Sequence, residues 1–423
     1  MYRALRWLIV SGIFAPLALF KNPAVSPLFI SRLVSSAGVG FGQLALAWGV
    51  MDLGYGPAAL AVVMACKAAP AILMIATGIA GDRLRRHYVL VAAELLATVA
   101  WLGLGACFLT GIASLPLVCG LAVLSGVATA MFLPTIRGIV ADLLTETSRP
   151  AGNALINQTE SIGLLIGLAT SGVVVSAVGA GWAASARGVL CAVSALLLSR
   201  LTTGRQDRGS EMLGDLRAGW FQFAAHRWVW TMALQFTALI VAVACFTDVI
   251  GPMFMKHGHG GARAWGIVAA CEAFGALAGA LVGARLRTSK PVLVATALPA
   301  SAAIPMILMW GGVPWTVIGL AIFVPGICQA AYYVLWTTAL QDHFARAVLV
   351  RVNSWSIVGS YLLTPFVLVA VGPLIEKIGS QNAAFITGLL VLAATGVALL
   401  SVRSVVTAGW TAAGPRQTEP MPS

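Results

Sequence analysis

The sequence predicts an all-α polytopic membrane protein, with twelve transmembrane helices arranged as two six-helix pseudo-repeats around a central cavity. Three observations predict it. First, charged residues make up only 9% of the 423 positions and the mean hydropathy is +0.93, whereas soluble domains carry about 25% charge. Adding the 45 glycines to the 59% hydrophobic set gives a chain too apolar to cover its own surface in water. Second, apolar runs long enough to span ~30 Å of hydrocarbon recur along the whole length. Third, the loop Gly81-Asp82-Arg83-Leu84-Arg85-Arg86 repeats as Gly283-Ala284-Arg285-Leu286-Arg287-Thr288 at an offset of 202 residues, with Val89-Leu90 and Val292-Leu293 following each copy.

Glycine, proline and charged breaks divide the first half into spans at 27–53, 57–81, 88–110, 115–140, 153–178 and 182–201. The second half gives 229–255, 263–284, 291–311, 314–340, 353–375 and 381–402. Ahead of them, Met1 to Phe20 places Arg3 and Arg6 before 14 apolar residues. That run is too short to span, and no small-x-small cleavage site precedes Lys21, so residues 1–26 are expected to form a cytosolic, interfacial segment. Between the halves, Asp207, Glu211 and Asp215 recur at the four-residue spacing of a surface helix. The expected organisation is therefore a bundle at 27–201, a cytosolic linker at 202–228, a second bundle at 229–402 and a cytosolic tail at 403–423.

The formal charge of +12 sets topology. Nineteen of the 26 Lys and Arg fall in the termini and loops of one side, three (Lys256, Arg263, Lys377) on the other, and four (Arg32, Lys67, Arg137, Arg187) within spans. The positive-inside rule then puts both termini in the cytosol. A basic aromatic face of the kind that binds nucleic acid is missing. Arg outnumbers Lys 21 to 5, which points to a GC-rich bacterium and its plasma membrane. The seven cysteines all fall inside apolar runs without a C-x-x-C pair, and His257 and His259 have no carboxylate or thiol beside them, so neither disulfides nor a metal is expected. No cofactor is expected either. H-E-x-x-H, G-x-S-x-G and phosphate-loop patterns are absent, which argues against a membrane-embedded enzyme.

Gly78-x-x-Gly81-Asp82-Arg83-x-Arg85-Arg86 resembles the loop 2/3 motif of the major facilitator superfamily, G-x-L-A-D-R-x-G-R-R. Phe132-Leu133-Pro134-Thr135-Ile136-Arg137, Gly152-Asn153-Ala154-Leu155, Gly219-Trp220, Ala264-Trp265-Gly266, Leu340-Gln341 and Arg351-Val352-Asn353-Ser354 resemble its drug:proton antiporter branch, which includes enterobactin and macrolide exporters. Two positions depart from that branch. The antiporter motif G-P-x-x-G-G reads Gly167-Leu168-Ala169-Thr170-Ser171-Gly172, and Ala122 stands where a buried Arg falls in span 4. The resemblance implies a monomeric secondary transporter in the lipid bilayer that exports an amphipathic small molecule in exchange for protons. Import or lipid movement on the same fold remains open at this stage. It further implies that Asp82 holds the halves together on the cytosolic side, with Arg83 and Arg86 at lipid heads or helix C-termini.

An ionisable side chain inside a span costs ~2.5 to 3.5 kcal/mol on insertion scales, so each one is a functional candidate. In span 5, Asn153, Asn157, Glu160, Gly167 and Ser171 share a face. In span 8, Glu272 shares one with Trp265, Gly275, Gly279 and Gly283, whose repeat implies close approach of another helix. Spans 5 and 8 are neighbours in the resembled family, so Glu160 and Glu272 are expected to meet and hold a proton between them. Asp248 in span 7 is a competing proton or cation site, and Lys67, near the midplane, is expected to face the cavity or a carboxylate. Arg32 and Arg137 lie near cytosolic span ends, as snorkelling residues or as parts of an inner gate. Substrate-cavity candidates are Ser36 and Gln43 on span 1, and Gln329, Tyr332, Tyr333 and Trp336 on one face of span 10.

Overall fold

The computed structural model describes residues 19–74, 85–204, 227–286, 288, 290–343 and 346–407, and every regular element among them is helical. Asn22 starts the first helix: its side-chain oxygen accepts from Ala24 N at 3.0 Å and its carbonyl from Ser26 N at 2.8 Å. Helix α1 (Ser26–Asp52) then runs to Gly54, whose φ of 85° turns the chain. α2 (Pro57–Ala68) tightens into a 3-10 turn over Ala69–Leu73. Pro70 lies in that turn and has no N–H to continue the α ladder. α3 (Arg86–Thr110) stops at Gly111 with φ 66°, a left-handed cap that a glycine adopts without a side-chain penalty. α4 (Leu115–Leu143), α5 (Arg149–Val178) and α6 (Ala180–Leu198) follow.

α7 (Arg227–Cys245) widens into a π turn at Phe246–Ile250 and continues as Gly251–Lys256. α8 covers Gly261–Arg285. α9 comprises Pro291–Ala297, a 3-10 turn at Leu298–Ala302 around Pro299, and Ala303–Trp310. α10 comprises Trp315–Ala321 and Phe323–His343. The stretch Arg346–Thr407 breaks at Gly379, with φ 81° and ψ 160°, into α11 (346–378) and α12 (380–407). Gly179, with φ 97° and ψ 165°, breaks α5 from α6 in nearly the same conformation 200 residues earlier.

Ten stretches of the described residues are long and apolar enough to cross a membrane. One of them, Gly359–Val402, contains the Gly379 break, and Pro57–Leu73 is a shorter apolar stretch that stops before the undescribed residues 75–84. Most helix ends agree with the expected spans to within about four residues, but the helix expected at 353–375 starts at Arg346, the one expected at 381–402 runs to Thr407, and the end of the span expected at 57–81 lies outside the described residues. The interfacial segment up to residue 18, the surface helix of the linker (residues 205–226) and loop residues 81–84, with Asp82 and Arg83, lie outside the described residues.

α1 packs on α5 and α6, α3 on α4 and α6, and α2 on α4. In the C-terminal set, α8 packs on α10, while α7 and α9 pack on the 346–407 stretch. The sets meet chiefly where α5 packs on α8 and α2 on the 346–407 stretch, with smaller contacts of the π turn of α7 on α2 and α1 and of α8 on α1. Glycines make these approaches close, as expected where lipid supplies no hydrophobic drive for helices to associate. A Cβ on Gly163 or Gly167 would collide with the α1 backbone at Leu33 and Ala37, and one on Gly275 or Gly279 with the α10 backbone at Phe323 and Ile327. The partner implied by the Gly-x-x-x-Gly face of α8 is thus α10. Between the sets, Gly172 and Gly266 meet backbone to backbone.

The helix turns after α1, α7 and α11 lie at one end of the molecule, called distal below because the start of α1 at Ser26 lies at the other. There the sets are joined by Lys256, which donates to Met51 O at 2.6 Å and lies 3.6 Å from Asp52. Ala58 N donates to Glu376 Oε1 at 3.3 Å in the same region. Gly372 packs on Pro57, Ala58 and Ala61 beside that bond.

Gly167→Ala is expected to destabilise the protein by about 1 to 3 kcal/mol, because its methyl meets the Ala37 carbonyl and the helices must part. Gly120→Ala, whose Cβ meets nothing within 4 Å, is the control and is expected to be near neutral. Thermal unfolding in detergent compares the two.

Candidate functional site

Three ionisable residues from the two helix sets lie at similar depth. Lys67 is ten residues from the distal start of α2, Asp248 eight from the distal end of α7 at Lys256, and Glu272 eleven from the distal start of α8. At 1.5 Å per residue they occupy a layer ~12 to 17 Å below the distal end. All three are half-buried. Lys67 and Asp248 interact electrostatically across the set boundary, but among the described residues they form no direct ion pair. The π turn carries Asp248 itself, and such turns shift the helical phase where a side chain must be re-aimed.

Glu272 faces the interior. On the opposite side of α8, Ile267, Cys271 and Phe274 line an apolar groove with Leu320, and its volume is about 490 Å³. Phe274 and Leu320 are exposed there, which marks the lipid side. Glu272 lies about 150° round the helix from the centre of that groove. Among the described residues it has no hydrogen-bond or ion-pair partner.

Arg187 of α6 lies close enough to Lys67 to repel it. The Arg187 guanidinium stacks 4.5 Å from the Trp101 ring of α3, and its stem occupies a slot left by Gly42, where a Cβ would strike it. It is 8% exposed, and its Nε and Nη1 have no acceptor. Glu94 of α3, 3% exposed, accepts from Ser194 Oγ at 2.9 Å and sits within electrostatic range of Arg187. Glu94 was missed as a candidate in the sequence and Arg187 was noted only as a charge in a span. The rule that singles out ionisable residues in apolar runs covers both, since Glu94 is eight residues inside α3.

Glu160 does not meet Glu272. It pairs instead with Arg32 of α1 at 2.5 Å, and Arg32 stacks 5.3 Å from the Phe132 ring. Depth accounts for the separation. Glu160 is 18 residues from the distal end of α5, ~27 Å, against ~17 Å for Glu272. Arg32 is buried at 5% exposure, so it does not snorkel to water. The side chain of Arg137 is outside the described residues. Arg86 pairs with Asp142 of α4 at 2.9 Å and donates to Gly138 O at 2.8 Å, tying α3 to α4 within one set.

The aromatic face of α10 divides. Tyr332 and Trp336 are buried in an apolar cluster with Val229 and Met232, and Tyr332 stacks on Phe236 at 5.8 Å, so these two rings serve packing and do not line a cavity. Tyr333 is exposed and Gln329 half-buried. On α1, Ser36 is buried with its Oγ unpartnered, and Gln43 is half-buried.

The profile of the Major Facilitator Superfamily matches residues 28–364. No curated protein sequence matches the chain. Among solved structures, the nucleoside transporter NupG superposes with a TM-score of 0.73 at 12% identity, covering 90% of this chain and 99% of its own. An inward-facing, unoccupied bacterial homolog of the human lysosomal transporter Spinster gives 0.71 at 15%, covering 93% and 100%. A POT family transporter gives 0.71 at 12%, covering 90% and 96%. At these identities the likeness is one of fold.

The Arg32–Glu160 pair is asymmetric, because Arg32 is buried while the Glu160 side chain is 44% exposed. Glu160→Gln leaves a buried, uncompensated guanidinium, whereas Arg32→Met leaves a carboxylate that can hydrate. Glu160→Gln is therefore expected to lower the unfolding midpoint more than Arg32→Met, with the double variant regaining part of the loss. A double-mutant cycle on thermal unfolding reads this.

Proposed function

The chain belongs to the major facilitator superfamily, and on that premise we propose that it is a proton-coupled exporter of an amphipathic small molecule working by alternating access. The observation that carries the reading is that Lys67, Asp248 and Glu272 lie at similar depth in the two helix sets, with Lys67 and Asp248 at the boundary between them. Ionisable groups are held in a membrane interior at a cost, and here the carboxylate of Glu272 has no partner among the described residues to offset it. A carboxylate in that position trades between a charged and a protonated form as access changes, which is what a proton carrier requires. Export as the direction, and the drug:proton antiporter branch, draw on the motifs at Phe132–Arg137 and Leu340–Ser354.

In this reading the 44-residue stretch Gly359–Val402 contains two spans and Pro57–Leu73 belongs to another, so the ten apolar stretches become twelve. They form bundles at 27–201 and 229–402, each working as a monomer's half, and the similar breaks at Gly179 and Gly379 support the repeat. The excess of basic residues at the proximal end supports cytosolic termini in a bacterial plasma membrane. The distal joints at Lys256–Met51 and Ala58–Glu376 then seal the outer side, so this conformation faces inward. Arg32–Glu160 acts as a brace between α1 and α5 inside one bundle. Glu272 is the proton carrier, and Lys67 and Asp248 form the charge contact that must loosen when the outer side opens.

Inside-out vesicles loaded by an imposed pH gradient and a panel of cationic, zwitterionic and neutral amphipathic dyes test this. At least one dye is expected to accumulate with the gradient. For that dye, Glu272→Gln should abolish gradient-driven flux and retain dye exchange, because exchange moves no net proton. Gradient-driven flux persisting in Glu272→Gln, or no dye responding to the gradient, contradicts the proposal.

A further inference from the structure

The layer that holds Lys67, Asp248 and Glu272 is electrically polar from one helix set to the other. On the N-terminal side two basic side chains lie within electrostatic range of each other, Lys67 at the boundary and Arg187 on α6. On the C-terminal side stand two carboxylates, Asp248 and Glu272. Had Lys67 and Asp248 closed into an ion pair, the two would cancel and the boundary would be electrically blank. They interact at a distance instead, with no direct ion pair between the described residues.

Arg187 fixes the sign of its side. Trp101 and the Gly42 slot hold its guanidinium in place, it is more than nine-tenths buried, and two of its nitrogens lack acceptors. Its nearest carboxylate, Glu94, is occupied by Ser194. Gln43, half-buried nine residues from the distal end of α1, adds a neutral hydrogen-bonding group at the same level. The ionisable groups at this boundary are then Lys67 from α2 and Asp248 from α7, with Glu272 of α8 less than a turn deeper. Asp52 and Lys256 engage each other at the distal rim.

We propose that a zwitterionic small molecule binds across this boundary, with its anionic group on Lys67 and its ammonium on Asp248. The proposal rests on the transport reading and narrows its substrate class. A ligand with only a cation meets Asp248 but brings its charge toward Lys67 and Arg187. A ligand with only an anion meets Lys67 but faces the two carboxylates. A zwitterion matches both walls and leaves neither charge unpaired in a poorly hydrated site. By joining the two sets it also makes binding sensitive to their separation, so the ligand itself reports on the open or closed state. Glu272 stays free of the ligand and available to a proton.

Three probes share one apolar body and differ only in charge: tryptophan, tryptamine and indole-3-propionate. Equilibrium binding of each, tritium-labelled, to the full-length protein in nanodiscs is the test. Tryptophan is expected to bind about tenfold or more tightly than either singly charged probe, the effect of one further charge-assisted hydrogen bond. Lys67→Gln should remove that advantage, bringing tryptophan to the level of tryptamine, while Asp248→Asn should bring it to the level of indole-3-propionate. Lys67→Arg keeps the charge and should keep the preference, so the ranking stays testable if Lys67→Gln folds poorly. Equal or tighter binding of tryptamine or indole-3-propionate by the wild type overturns the proposal while leaving transport intact. So does an unchanged tryptophan preference in a folded Lys67→Gln protein. Binding of none of the three also overturns it, and dye flux driven by the pH gradient, which uses none of these probes, then judges transport separately.

Discussion

An ionised side chain in hydrocarbon must find a partner, water or a proton, and the rest of this structure is arranged around where the chain places its few charges. Arg32 finds Glu160, Arg86 finds Asp142, and Lys256 finds Asp52 and the Met51 carbonyl. Arg187 is held by the Trp101 face with Glu94 near it. These groups are bound to neighbours and stiffen the fold. Lys67, Asp248 and Glu272 are different: they lie at similar depth, Lys67 and Asp248 at the boundary of the two helix sets, and none has a closed ion pair among the described residues. On the proposed reading, this contrast divides the charges that brace the fold from those that serve transport.

Glycine makes that placement possible. Helices in lipid associate through close fit, and here the fit is set by glycine in both helix sets. Gly163, Gly167 and Gly40 lock α1 to α5, which brings Arg32 within reach of Glu160. Gly275, Gly279 and Gly326 lock α8 to α10, and that contact fixes the rotation of α8 so that Phe274 meets lipid and Glu272 turns inward. Gly172 and Gly266 let α5 and α8 touch across the boundary near the distal end. The same contact can slide or part as a unit, since backbone against backbone carries no interlocked side chains to break.

Helix positions were legible in the sequence because a span is a property of one segment: its apolar length and the glycine, proline or charge that ends it. The close partner of α8 was legible as a Gly-x-x-x-Gly face, though not which helix would fill it. Side-chain partners were less so. Glu160 and Glu272 lie on helices that do touch, but periodicity gives a residue's face and leaves its depth relative to a neighbour unset, and ~10 Å of axial offset keeps the two apart. Tyr332 and Trp336 have the spacing of a cavity face, yet a face that meets a buried cluster of Val229, Met232 and Phe236 has the same spacing. The π turn at Asp248 has no local sequence mark, and it shifts the phase of that side chain relative to the rest of α7. Glu94 escaped notice for a simpler reason: it was never weighed by the rule applied to its neighbours.

The central claim is that the distal joint between the sets opens and closes while each set keeps its internal pairs. Spin labels at Ile112 and Lys377, both exposed at the distal end, measure that joint by pulsed electron resonance on a cysteine-depleted protein in nanodiscs. The account predicts a short distance for the sealed state and a second, longer one whose share changes with pH, while labels at Ile112 and Val178, both exposed within the N-terminal set, keep one distance throughout. A single unchanging distance across the joint at every pH, or a change confined to the pair within one set, would contradict it.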